Sequence, residues 1–208
     1  MLGARLWAAL GIVSWIVVFV GFGIHGYPAP NASAAELSAW SSRTDATRFL
    51  VGVDIEATGY LAFLFFFAWL CDVLRRSGGR AWLLILSVAA TVAWAAIGVA
   101  TNGIWSGLLE AGKHGADGPT LLGIRDTAQQ VFNADNLLLP PALVALGLAV
   151  VQLKTALPVW LGWAILAIGL VMAVPPLGFP LQLAFLLWVT VVSIYFVARP
   201  PVSSGATS

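Results

Sequence analysis

AWLLILSVAATVAWAAIGVA, residues 81–100, is a run of twenty side chains without a charge. A helix rises about 1.5 Å per residue, so such a run reaches about 30 Å, the thickness of a bilayer's hydrocarbon core. Five comparable runs lie at 6–24, 49–74, 132–153, 158–174 and 179–197. None shows the two-residue alternation of a membrane β-strand, and helix is the other way to satisfy backbone groups in lipid. The expected fold is all-α: a polytopic membrane bundle of six transmembrane helices. It forms a single domain over residues 1–199, with a disordered tail at 200–208.

The composition agrees. Hydrophobic residues make up 60% of the 208, charged residues only 9%, and mean hydropathy is +0.94. Soluble domains carry about 25% charged residues. Ten basic and nine acidic side chains do not cover a soluble surface, and a net charge of +1 gives no field for nucleic acid. Cys71 is the lone cysteine, which excludes an internal disulfide framework. The first apolar run, 19 residues, exceeds the about 7–15 of a signal peptide and is read as a retained span.

Basic residues set the expected orientation. With the N-terminus inside, Arg5, Arg75, Arg76, Arg80, Lys154 and Arg199 fall on short inner segments. Arg43, Arg48, Lys113 and Arg125 fall on longer outer ones. Both termini are therefore expected to be cytoplasmic, in a multi-pass cell-membrane protein. Eight arginines against two lysines suit a GC-rich bacterial source, hence a bacterial inner membrane.

The outer loops look structured. Ser33 and Glu36 have capping-box spacing, which predicts a short helix to about Ser42. A second short helix is expected from Asn102 to about Ala111. A break follows over 112–118, and a third helical pattern leads from Pro119 into the fourth span. Pro140-Pro141 is expected to interrupt that span, because proline lacks the N–H and clashes with the preceding turn. The Asn31-Ala32-Ser33 sequon is read as chance.

Depth counts bring polar residues into one outer layer. Asp54 lies 21 residues before Arg75, about 31 Å of helix. Glu56, Asn102, His25, Asn133, Asp135 and Asn136 reach a similar level. Arg125, Asp126, Gln129, Gln130, Asn133 and Asn136 recur every three or four residues and make one helix face polar. The candidate site is an outward-facing pocket walled by Asp54 or Glu56, Asn102, Arg125, Asp126, Asn133 and Asn136. Ionisable groups in spans are functional candidates by default. At headgroup depth, however, the same residues serve equally as helix caps and loop ties. Asp54 and Glu56 are about 200° apart around a helix, so they cannot share a cavity.

Other residues read more plainly. His25 is an interfacial histidine without a role, His114 a solvated one, and Cys71 a small buried side chain. Ala89/Ala93, Ala96/Ala100 and Gly169/Ala173 allow close packing within the bundle. The tryptophans read mostly as interfacial belts, with Trp82, Trp160 and Trp163 inner and Trp105 outer.

The inventory narrows the chemistry. Two histidines, both on the outer side, cannot hold two haems across a membrane. There is no His-Glu-x-x-His, no mid-span lysine for a retinal Schiff base and no phosphate-binding glycine loop. Gly103-Ile104-Trp105-Ser106-Gly107 resembles an intramembrane serine-protease loop, but no later span supplies a histidine. No catalytic residue, metal site or cofactor is expected; the bilayer is the one partner the sequence implies. Three function classes stay open. They are binding or transport of a small solute or cation, an accessory membrane subunit without a ligand, and a lipid-modifying enzyme with an acidic base.

Leu157-Pro158-Val159-Trp160-Leu161-Gly162-Trp163, followed by an Ala/Ile/Gly/Leu run, resembles a feature of a large family of uncharacterised bacterial six-span integral membrane proteins, a domain of unknown function. That resemblance implies a six-helix membrane domain and supplies no activity, cofactor or catalytic residue.

Overall fold

The computed structural model describes residues 2–152, 157–174 and 177–201; the side chains at 135, 136, 178 and 179 lie outside that description. The described chain is helical and contains no strand. Its helices are α1 (Leu2–His25), α2 (Ala34–Arg43), α3 (Ala46–Arg76), α4 (Ala81–Lys113), α5 (Gly118–Gln152), α6 (Val159–Met172) and α7 (Gly178–Ala198). Five of the helices are long and apolar enough to cross a membrane: α1, α3, α4, α5 and the segment Pro180–Ala198 of α7. The remaining apolar helix, α6, has only 14 residues.

Six helices close a ring. In order around it, α1 packs on α3, α3 on α4, α4 on α5, α5 on α6, α6 on α7, and α7 back on α1. Phe63, Phe66, Phe67, Phe185, Trp188 and Phe196 are buried at its centre. Large apolar side chains also point outward: Leu6, Ile16, Phe65, Ile85, Leu187 and Ile194 are all exposed. A surface of this kind is suited to hydrocarbon rather than water.

Two sequence expectations change here. The span at 81–100 and the short helix after Asn102 are one continuous helix of 33 residues, α4. At about 1.5 Å per residue it is about 50 Å long, well beyond the apolar layer. Likewise α5 has 35 residues and runs through Pro140 and Pro141 without a break. It packs against both α4 and α6. Ser87 on α4 donates from Oγ to the Ala142 carbonyl at 2.8 Å, bridging the helices beside the prolines.

The C-terminal end of α4 and the N-terminal end of α5 pack with α2 and the start of α3 into a second apolar cluster of Leu37, Phe49, Trp105, Leu108, Leu109 and Leu121. The helix α2 begins as its sequence dictates. Glu36 N donates to Ser33 Oγ at 3.4 Å, and Ser33 N donates to Glu36 Oε2 at 2.7 Å. The Ser33 amide and hydroxyl hold the Glu36 carboxyl below its ordinary range. Asp45 caps α3 by accepting from Arg48 N at 2.7 Å. Trp82, Trp160 and Trp163 are exposed, whereas Trp105 is buried in the second cluster. Cys71 is buried, and His114 is exposed, 3.6 Å from Glu110.

Candidate functional site

The site begins with one face of α1. Gly11, Ser14, Val18, Gly21 and His25 recur at steps of three and four and are all buried. On α3, Gly52, Glu56 and Gly59 form the matching face. The glycines let the two backbones touch. A Cβ built on Gly21 would lie 2.5 Å from Glu56 N and 2.6 Å from Gly52 O. One on Gly52 would lie 2.8 Å from the Cβ of His25. This close crossing brings His25 onto Glu56, with Nε2 2.6 Å from Oε2. Both residues are buried.

The chain then turns on Gly26, whose φ of +57° lies in the left-handed region that favours glycine. The turn folds Tyr27 back over the end of α1. Its ring stands 4.5 Å from that of His25 and 5.5 Å from that of Trp105. Its hydroxyl donates to Asn102 Oδ1 and lies 3.4 Å from Glu56 Oε2. Burial, and then the charge of Glu56, push the Tyr27 hydroxyl well above its ordinary range.

These polar groups sit at one end of a cavity of about 680 Å³ inside the ring. Glu56, Tyr27, Thr101, Asn102, Gln129 and Gln182 give its polar lining. Trp15, Tyr60 and Trp94 form its deeper aromatic wall, backed by Phe63 and Phe185. Trp94 precedes Asn102 by eight residues, about 12 Å of helix toward the far end. Phe19, Phe22 and Leu183 line the cavity yet are exposed, so its rim lies on the outer side of the α1–α7 pair.

The sequence-derived site residues separate. Glu56 and Asn102 meet at the cavity through Tyr27. Asp54 is exposed, on the opposite face of α3 from Glu56. Arg125 donates to the Ala32 carbonyl and, at 2.6 Å, to Asp126 Oδ1, so this pair ties α5 to the connection between α1 and α2. Asn133 is exposed and does not line the cavity; the side chain of Asn136 lies outside the described residues. The α5 lining comes instead from Gln129 and Phe132. His25, read from sequence as an interfacial histidine without a role, is buried against Glu56, because the glycine face of α1 carries it there. That glycine face was legible as small residues at helical spacing ending in His25. Among the described residues, no group of three or more His, Cys, Asp or Glu forms a metal site.

No protein family, curated protein or solved structure matches this chain.

Proposed function

We propose that this protein is a membrane-embedded binding protein for a small amphiphilic molecule, held in the cavity enclosed by the six-helix ring. The observation that carries this reading is the arrangement of the cavity. It is aromatic through most of its length and polar at one end, where Glu56, Tyr27 and Asn102 converge. Sites for small organic ligands have that character: apolar walls, and a few polar groups that fix orientation. His25 is absent from the lining and supports Glu56 from behind. An accessory subunit that only packs against a partner has no use for such a cavity.

We place all six ring helices across the membrane, with both termini cytoplasmic in a bacterial inner membrane. The short helix α6 completes the ring between α5 and α7, with Trp160 and Trp163 at the inner interface. The cavity's polar end then lies toward the outer face, under α2.

The test uses the full chain in phosphatidylcholine nanodiscs with Nile red, a neutral environment-sensitive dye. Saturable binding is expected, with the emission of Trp15 and Trp94 in the wall quenched by energy transfer to the dye. Trp94→Phe is expected to reduce that transfer, while Trp163→Phe, on the exposed surface, leaves it unchanged. Dye uptake that merely tracks lipid content, with no saturable component, sinks the reading.

A further inference from the structure

We propose that the occupant of the cavity is a lipophilic cation, an amine or quaternary onium group carrying apolar substituents, seated with its charge against Glu56. This inference rests on the cavity being a binding site. Among the described residues, Glu56 is the one Asp, Glu, Lys or Arg side chain that lines it. Glu56 is only 5% exposed, so its charge is poorly served by water.

Its neighbour does not cancel that charge. His25 Nε2 lies 2.6 Å from Glu56 Oε2, while His25 Nδ1 is buried without a hydrogen-bond partner among the described residues. An imidazolium needs acceptors for both of its N–H groups. A neutral ring needs one, and its Nε2–H donates to the carboxylate, a tautomer assigned from the hydrogen-bond pattern. With the ring neutral, an ionised Glu56 has no counter-charge in the described lining. A buried carboxylate without a counter-charge is costly by several kcal/mol in general. A cationic ligand relieves that cost.

The walls suit such a ligand. Phe22, Tyr27, Tyr60, Trp94 and Trp105 line the cavity around and below Glu56. Aromatic faces attract cations, most strongly where water is excluded. No lysine or arginine in the described lining is available to hold a carboxylate or phosphate headgroup, and Glu56 repels one. Among the described residues, no group of three or more His, Cys, Asp or Glu gathers with Glu56 to hold a metal ion. The apolar rim at Phe19, Phe22 and Leu183 opens toward the hydrocarbon side, where lipophilic cations partition.

Tetraphenylphosphonium and tetraphenylborate share shape and differ in charge, which makes them the probes. In wild-type nanodiscs, tetraphenylphosphonium is expected to displace Nile red at concentrations at least tenfold below those of tetraphenylborate. Radiolabelled tetraphenylphosphonium is expected to bind Glu56→Gln at least tenfold more weakly, a loss larger than any change in the affinity of the same variant for neutral Nile red. Equal displacement by the two ions overturns the inference, and so does unaltered phosphonium binding by Glu56→Gln. The first comparison needs no variant, so a Glu56→Gln protein that fails to fold does not weaken it. Nile red binding without phosphonium displacement removes this inference alone. Absence of saturable Nile red binding removes the cavity reading with it.

Discussion

Replacing Gly21 by alanine sets a methyl group against α3 where the backbones already touch. The added Cβ would stand 2.5 Å from Glu56 N, whereas ordinary van der Waals contact begins at 3.4 Å. The obstacle is backbone, not the end of a flexible side chain, so α1 and α3 must separate by about 0.9 Å to restore contact. An opening of that size stretches the 2.6 Å His25–Glu56 hydrogen bond to about 3.5 Å, the outer limit for one. Overpacking costs about 1–3 kcal/mol and loss of a hydrogen bond to a charged group about 1.5–3 kcal/mol. We expect Gly21→Ala to lower stability by about 2.5–6 kcal/mol. At about 2–4 °C per kcal/mol for a chain of this size, the thermal midpoint falls by about 5–24 °C. The control is two residues away. A Cβ on Gly23 meets nothing within 4 Å, so Gly23→Ala should be neutral or gain up to about 1 kcal/mol in helix propensity. Tryptophan fluorescence during heating in a single mild detergent measures both. Equal midpoints for Gly21→Ala and Gly23→Ala would refute the claim that the glycine crossing sets the site.

Single cysteines at Asp54 and Glu56, in a Cys71→Ser background, separate the two faces of α3. Asp54→Cys should label at least tenfold faster with an impermeant maleimide, and similar rates contradict the buried setting of Glu56. Tyr27 should remain protonated through about pH 10, where a free tyrosine ionises. With its ionisation raised in the fold, its contribution to stability is full below that pH and declines above it. The ultraviolet titration of Tyr27→Phe near that pH should therefore overlay the wild type; loss of one tyrosine's absorbance change counts against the buried contact. Glu36 behaves in the opposite sense, since its carboxyl is held low by Ser33. Its contribution to α2 is present above about pH 4.3, the ordinary glutamate value, and is lost as pH falls through the lowered one. Amide-exchange protection at Glu36 and Leu37, corrected for intrinsic rate, should drop over that window. Ser33→Ala should remove the pH dependence, and its persistence would place the effect elsewhere.

The sequence by itself determined the helices and their setting. Uncharged runs of about twenty residues admit one backbone solution in lipid. Local pairs were equally legible, because their partners lie within one turn: Ser33 with Glu36 in the capping box, or Asp54 opposed to Glu56 around α3. The depth count also placed Glu56 and Asn102 at one level, and they share the cavity. Periodicity assigns a residue to a helix face but does not name the helix that covers it. His25 and Glu56 are 31 positions apart, and Tyr27 and Asn102 are 75 apart. Their meeting depends on how closely α1 approaches α3, and on Gly26 turning Tyr27 inward. For the same reason Arg125 and Asp126, polar and at helical spacing, are turned to the connection between α1 and α2 rather than to the cavity. Likewise Trp15 and Trp94, which lie within apolar runs that gave them no assigned place, form its wall. Helix formation in lipid is decided within each segment; the chemistry of the site is decided by the order of helices around the ring and the distance between them.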